Sequence, residues 1–326
     1  MTTKVDTRTR GDHRHGTRWR AYARLAKLDV FDYYLGLLVV VAALPAAARF
    51  EARNLLTLGV FLLGEVFVIA AMVALDDITG YLDGSDLVNY APDAPARRVR
   101  RKPLVAGTLD VGHARRFAAV AAAAGALCWA VAVLVAPARP AWAIGVVVVT
   151  FVVALQYSWG LKLSYHGAQE LFLAALGWAL VLAPYGLLTG VAGRFIAVQA
   201  VLFGLGPVLF GVYSNTNDIA GDRSVGRVTV ASRVCARTNA LFVGTLSIME
   251  AVVVLGSVAL GAAPWWFPVL MTPVIGLRGV QYVTGMVRGQ ILRARLLGVR
   301  IHRLSVALLV LANLIAGGAA LAGGIG

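Results

Sequence analysis

The sequence predicts an all-α, polytopic membrane protein with nine membrane-spanning helices. Three observations lead there: the composition, the repeated apolar stretches of spanning length, and the one-sided placement of Lys and Arg. Hydrophobic residues make up 59% of the 326-residue chain and charged residues only 14%, with a mean hydropathy of +0.77. Ordinary globular chains carry about a quarter charged residues, so most of this surface is expected to face lipid.

A bilayer core of about 30 Å takes around 20 mostly apolar residues as helix. Stretches of that kind fall at 30–48, 55–75, 116–136, 140–158, 169–190, 194–213, 240–260, 264–286 and 304–323. Gly36, Pro184 and Pro207 lie inside them, which spanning helices tolerate. Residues 1–29 are basic and polar, without the short apolar core and small-residue cleavage site of a secretory signal. They are expected to form a cytoplasmic arm, with Arg8–Arg20 a disordered segment that touches anionic lipid and takes no part in chemistry. Residues 30–326 are then the nine-helix domain.

Most of the 30 Lys and Arg fall in five places: residues 4–27, the loop after the second stretch (Arg97 to Lys102, Arg115, Arg116), Lys162, Arg223 to Arg237, and Arg288 to Arg303. Arg49, Arg53, Arg139 and Arg194 fall on the other side, and Arg278 inside the eighth stretch. Cytoplasmic loops carry the Lys/Arg excess, so the N-terminus and every even-numbered loop are expected to be cytoplasmic. In a soluble protein a net charge of +14 would suggest nucleic acid. Here sidedness accounts for it, and no nucleic-acid partner is expected. Cys128 and Cys235 fit neither a disulfide framework nor a metal knuckle and read as packing residues. The five histidines have no metal spacing, and no Gly-rich nucleotide loop follows a strand.

The chemistry concentrates at the cytoplasmic ends of the second and sixth stretches. The first acidic segment holds Asp76, Asp77, Asp83 and Asp86; the second runs Asn215-Thr216-Asn217-Asp218-Ile219-Ala220-Gly221-Asp222-Arg223. Carboxylates so close to hydrocarbon are expensive and point to function. Asp218 and Asp222 are four residues apart and share a face on a helical extension of the sixth stretch. Asp76 and Asp83, seven apart, also share a face, with Asp86 a further turn along. Two carboxylate clusters suit Mg²⁺, which takes one or two carboxylates and completes its octahedron with water and phosphate oxygens. Neighbouring cations (Arg101, Lys102, Lys162, Arg223, Arg227) would hold the remaining charge of a diphosphate. Such a site neutralises a departing diphosphate while an apolar cavity keeps water from the resulting cation.

At these residues the chain resembles the UbiA superfamily of intramembrane prenyltransferases. The resemblance lies in Asp218-Ile219-Ala220-Gly221-Asp222-Arg223 with Gly226-Arg227 and Thr229-Val230-Ala231, and in Arg101-Lys102-Pro103-Leu104 with Gly107. Tyr157-Ser158-Trp159-Gly160-Leu161-Lys162, followed by Tyr165, Gly167 and Glu170, is similar to the 1,4-dihydroxy-2-naphthoate polyprenyltransferase branch. The resemblance implies nine helices around a central cavity open to the cytoplasmic face of a bacterial membrane. It also implies Mg²⁺ held by Asp76, Asp77, Asp83, Asp86, Asp218 and Asp222. Tyr157 and Lys162 would lie near the diphosphate and the reacting carbon, and Arg101, Lys102, Asn217, Arg223 and Arg227 would bind the isoprenoid diphosphate. The implied activity is transfer of an allylic prenyl group to a small aromatic acceptor. The first motif departs from the family, because Gly80 stands where an Asp belongs; Asp76 and Asp83 are expected to carry metal between them.

Two other functions fit less of the sequence. An intramembrane terpene cyclase would share metal site and topology but use no acceptor; the Tyr157–Lys162 match favours transfer. A secondary transporter would place its charges near the midplane, whereas these lie at one membrane face. Glu65, Glu250 and Arg278 are charges inside stretches, each open to a substrate role or to packing within the bundle. Asp29 and Asp32 at the mouth of the first stretch either contact an acceptor or follow the preference of helix N-termini for acids. His166 reads as a loop residue.

Overall fold

The structure, a computed structural model, describes residues 18–28, 30–90 and 99–323. These residues are helical with short connections, and no β-strand occurs among them. A helix lies on each of the nine apolar stretches, but the helices differ in reach. Numbered along the chain, α1 covers residues 18–25, α2 Gly36–Ala43, α3 Ala52–Leu82, α4 Ser85–Asn89, α5 Val111–Val135, α6 Ala141–Leu155 and α7 Gln169–Thr189. Then follow α8 Arg194–Asn217, α9 Ile219–Ser224, α10 Val230–Arg233, α11 Ala236–Ala259, α12 Phe267–Tyr282 and α13 Ile291–Gly323. Six of them (α3, α5, α7, α8, α11 and α13) are long and apolar enough to cross a membrane.

The first stretch differs most from expectation. A short turn over Phe31–Tyr33 precedes α2, and α2 stops after 8 residues at Leu44-Pro45. Pro45 has no N–H to give, and the residue before a proline is driven out of the helical region; Leu44 is accordingly extended. The arm also differs, because residues 18–25 are helical and bury Ala21 and Leu25 against Ala74, Ile78 and Leu104. The rest of the expected disordered segment, and Asp29, lie outside the described residues. At the other extreme, α3 has 31 residues, roughly 46 Å at 1.5 Å per residue. That exceeds the ~30 Å hydrocarbon core, and its last turns carry Asp76 and Asp77.

α7 and α8 are the most buried helices, and α5 and α11 keep the most surface for lipid. Lipid tails are as apolar as leucine, so helices associate through close packing of small residues and shared polar groups. A Cβ on Gly177 would stand 2.6 Å from Gly204 Cα, and one on Gly204 would collide with the Ala174 carbonyl. Gly204→Ala should therefore force α7 and α8 apart at a cost of about 1–3 kcal/mol, read as earlier thermal unfolding in detergent. Buried polar pairs tie the elements together. Gln199 and Asn313 exchange amide hydrogen bonds of 2.8 Å, and Asn313 Nδ2 donates to the Val39 carbonyl. The Arg303 guanidinium donates twice to Asp32, at 2.7 and 3.1 Å, so Asp32 joins the first segment to α13. Glu250 and Arg278 face each other between α11 and α12.

Candidate functional site

The loops that follow α3, α6 and α8 meet at one end of the molecule. The first acidic segment begins inside α3, whose last turns carry Asp76 and Asp77. Asp83 caps the helix, and Gly84, at a φ of 87° that favours glycine, turns the chain into α4. The Asp83 side chain accepts from the Ser85 backbone N–H (2.9 Å) and hydroxyl (2.8 Å) and from the Tyr165 hydroxyl. Asp76 accepts from the Ser158 hydroxyl at 2.7 Å, and Thr79 donates to the Ser158 carbonyl at 2.9 Å. The loop containing Tyr157 to Lys162 is thus bonded directly to the first acidic segment.

Any larger residue at Gly80 would require the Asp86 side chain to shift. A Cβ there would stand 2.9 Å from the Asp86 carboxyl carbon and Oδ2. Asp86 folds back from α4 over Gly80. Its partner is Lys102, whose ammonium donates to Asp86 Oδ2 and Asp77 Oδ1, each at 2.8 Å. Burial opposes the Lys102 charge, but Asp77 and Asp86 outweigh it and hold its pKa well above the ordinary lysine value. Burial pushes Asp86 up, and Lys102 only partly offsets this.

In the second acidic segment α8 ends at Asn217, Asp218 forms the joint, and α9 starts at Ile219. The Asp222 N–H still donates to the Asp218 carbonyl at 2.9 Å, so the two carboxylates keep their one-turn spacing across the break. Asn217 is exposed and donates to Asp218 Oδ1 at 2.9 Å. Asp222 is buried, accepts from Thr229 Oγ1, and has its pKa pushed up to about 6, by burial first and with Asp218 adding to it. Gly221 allows α9 to press against Asn89 of α4, where a Cβ would collide with the amide. The two acidic segments therefore touch.

Arg227 joins all three loops. Its Nε and Nη2 donate to the Ser164 carbonyl and Gln169 Oε1, both at 3.3 Å, and Nη1 lies 4.0 Å from Asp76. Its guanidinium also stacks 4.9 Å from the Tyr165 ring centre. Val228 donates to the Tyr165 carbonyl, placing His166 beside it in an isolated bridge. Burial raises the Tyr157 pKa, and burial with the Asp83 bond raises that of Tyr165; both hydroxyls stay protonated at neutral pH. Lys162 is exposed, adopts the left-handed region at φ 49°, and lies 5.2 Å from the Tyr165 ring centre. Arg101 and Arg223 are exposed, and Arg223 Nε donates to the Ser232 carbonyl. Tyr157 is buried with its ring 4.7 Å from that of Phe172. From Phe172 and Leu163 an apolar groove of about 550 Å³ runs between α6 and α7 to Trp142 and Trp178.

Two participants escaped the sequence reading. In the sequence Ser158 stands out only as part of a motif, and Lys27 only as one charge in a basic arm. Lys27 Nζ lies 3.1 Å from Asp77 Oδ1 and 3.6 Å from Asp76 Oδ2. Apart from glycines, Lys27 and Lys162 alone among the described residues have positive φ. No sequence signal distinguishes Lys27 from the other basic residues of the arm.

Among the described residues no three His, Cys, Asp or Glu side chains converge as a full metal-ligand set. Asp218 and Asp222 nevertheless fit Mg²⁺, because that ion needs few protein carboxylates when phosphate oxygens and water complete its shell. Asp222, buried and destabilised as an anion, is the kind of carboxylate a cation would relieve.

Six helices long and apolar enough to cross a membrane mark an integral membrane protein, and the polar site lies at helix ends. The chain belongs to the UbiA prenyltransferase family, whose defining pattern matches residues 36–297. No curated protein sequence matches it comparably. Among solved structures it is similar to a digeranylgeranylglyceryl phosphate synthase, with 14% identity over 91% of this chain and 99% of that one, at a TM-score of 0.61. It is also similar to a UbiA homolog from Archaeoglobus fulgidus bound to DMAPP and Mg²⁺ (12% identity, 88% and 98% covered, TM-score 0.60). A third is the apo UbiA homolog from Aeropyrum pernix K1 (12%, 87% and 98%, 0.62). At such identities the likeness is one of fold.

Proposed function

We propose that this chain is an Mg²⁺-dependent intramembrane prenyltransferase that ionises an allylic isoprenoid diphosphate and transfers the prenyl group to an aromatic acceptor. The observation that carries this reading is the meeting of two acidic segments and an arginine, Arg227, at one end of an apolar bundle. The family membership and the Mg²⁺ and DMAPP of the Archaeoglobus homolog support it. On this reading nine membrane passes place the N-terminus and the three site loops on the cytoplasmic side, in keeping with the Lys/Arg distribution.

Asp218 and Asp222 would hold the ion, with Asn217 orienting Asp218. When bound, Mg²⁺ supplies the positive charge that stabilises the departing diphosphate. Arg227, already aligned by Ser164 and Gln169, presents its remaining face to the same anion, and exposed Lys162, Arg101 and Arg223 add to the field. The Tyr165 hydroxyl, anchored on Asp83, keeps its ring under Arg227. The Tyr157 and Phe172 rings line the inner side, where apolar walls exclude water from an allylic cation. The groove beyond Phe172 offers an isoprenoid chain an apolar bed.

The test is product analysis by mass spectrometry on purified membranes given geranylgeranyl diphosphate and Mg²⁺, with and without a panel of aromatic acids. A prenylated aromatic that requires the acceptor and disappears in Asp218→Asn is the expected result. A hydrocarbon or terpene alcohol formed without acceptor would instead assign the cyclase reaction to the same site.

A further inference from the structure

The short first helix leaves a second concave feature at the far end of the bundle. With 8 residues, α2 is roughly 12 Å long at 1.5 Å per residue and cannot cross a ~30 Å hydrocarbon core. Where it stops, at Leu44-Pro45, the chain together with α7, α8 and α13 encloses a groove of about 480 Å³. Leu44, Phe195, Ile196, Ala316 and Gly317 give it largely apolar walls. Arg194 starts α8 and Asp218 follows its end, so the groove and the acidic segments lie at opposite ends of the bundle.

Two arginines line this groove, Arg49 and Arg194. Arg49 ends the short helical turn Ala46–Arg49 that follows the break. Its Nε and Nη2 donate to the Leu44 and Ala42 carbonyls, at 2.9 and 3.0 Å, and so satisfy carbonyls freed by the early end of α2. These bonds fix the guanidinium, while Nη1 bonds to no described residue. A Cβ on Gly317 would stand 3.1 Å from Nη2, so α13 lies directly against the same group. Arg194 is exposed, and α8 has no side-chain cap, so its first backbone N–H groups are left to other acceptors. Neither arginine forms an ion pair with a described residue. Of the 16 Asp and Glu in the chain, Glu51 alone falls in residues 44–51, 136–140, 190–193 and 260–266, the connections at this end. Its carboxylate accepts from Asn54.

We propose that this groove binds an anionic glycerophospholipid, with Arg49 and Arg194 as partners of the headgroup phosphate and the apolar walls taking the start of an acyl chain. Guanidinium groups match phosphate oxygens in geometry as well as charge, and an uncapped helix N-terminus favours the same anion. A zwitterionic lipid would bring its own ammonium group beside two guanidinium groups, with no carboxylate lining the groove to receive it. A free phosphate would leave the apolar walls uncovered. The bound lipid would tie the break after α2 to α8 and α13, a junction without an ion pair among the described residues. Nothing in this site involves the acidic segments, so it stands independently of the prenyl-transfer reading.

The experiment takes the full chain purified in detergent and adds dioleoylphosphatidylglycerol or dioleoylphosphatidylcholine. Native mass spectrometry reads the dissociation constant of the first lipid retained. The wild type should hold the phosphatidylglycerol more tightly. Arg194→Gln should weaken that lipid about fivefold, the scale of one basic residue at an anionic lipid surface, and leave phosphatidylcholine unchanged. Arg139→Gln, exposed at the same end but outside the groove, should change neither. Thermal unfolding shows whether Arg194→Gln keeps its fold. If it does not, Ala46→Trp, which fills the groove from an exposed position without removing a charge, should weaken phosphatidylglycerol instead. Equal retention of the two lipids by the wild type would overturn the proposal. Equal losses in Arg194→Gln and Arg139→Gln would do the same, by showing a general charge effect. Displacement of the lipid by inorganic phosphate would reassign the groove to a free anion.

Discussion

Asp218→Asn should lower product formation by at least about 10²–10³-fold, the scale on which losing one preorganised charge-stabilising group is felt. The substitution is nearly isosteric, and the backbone bond from the Asp222 N–H to the Asp218 carbonyl does not involve the side chain. The Asn217 amide can still donate to the remaining carbonyl oxygen. Folding should therefore be preserved, and thermal unfolding in detergent should match the wild type. The two readouts separate a loss of chemistry from a loss of structure. The Mg²⁺ concentration for half-maximal rate should rise as well, because one of the two carboxylates proposed to hold the ion is gone. An enzyme with near wild-type turnover would remove Asp218 from the ion's ligands.

The opposite pattern is expected at Glu250 and Arg278. Arg278 donates from Nε (2.8 Å) and Nη2 (3.2 Å) to Glu250, and from Nη1 (2.9 Å) to Gln281. Gln281 in turn donates to the Leu209 and Ala294 carbonyls. All three side chains are buried, so α8, α11, α12 and α13 share one polar joint. Removing one partner strands the other charge, which costs about 3–5 kcal/mol in buried pairs. Glu250→Leu and Arg278→Leu should each destabilise on that scale, while the double variant should lose much less than their sum. Folded molecules of each should keep wild-type kcat, because nothing in this joint reaches the acidic segments. Additive losses in the double-mutant cycle would mean the pair is not coupled.

These two cases also mark how far the sequence reaches. Glu250 and Arg278 could each be flagged as a charge inside an apolar stretch, but not that they pair, since they sit 28 positions apart on different helices. Glu65 keeps its ambiguity in the fold, buried with both oxygens unpartnered. Asp32, a candidate for acceptor contact, is bound by Arg303 from the far end of the chain. The first apolar stretch reads as one helix by hydropathy alone, yet Leu44-Pro45 breaks it.

What the sequence by itself determined is what depends on local composition and order. Apolar runs of about 20 residues place the helices, because hydrocarbon leaves a backbone no other way to satisfy its polar groups. The acids at the ends of the second and sixth stretches, with their spacing and neighbouring arginines, mark the site before any contact is known. Tertiary structure alone decided which charges meet. Lys27 reaches Asp77 only because α1 packs on α3, and Asp86 lies against Gly80 only because the turn at Gly84 swings α4 back over it. Such pairings depend on distance in space, and a Coulomb interaction over 3 Å between residues far apart in the chain leaves no trace in their order.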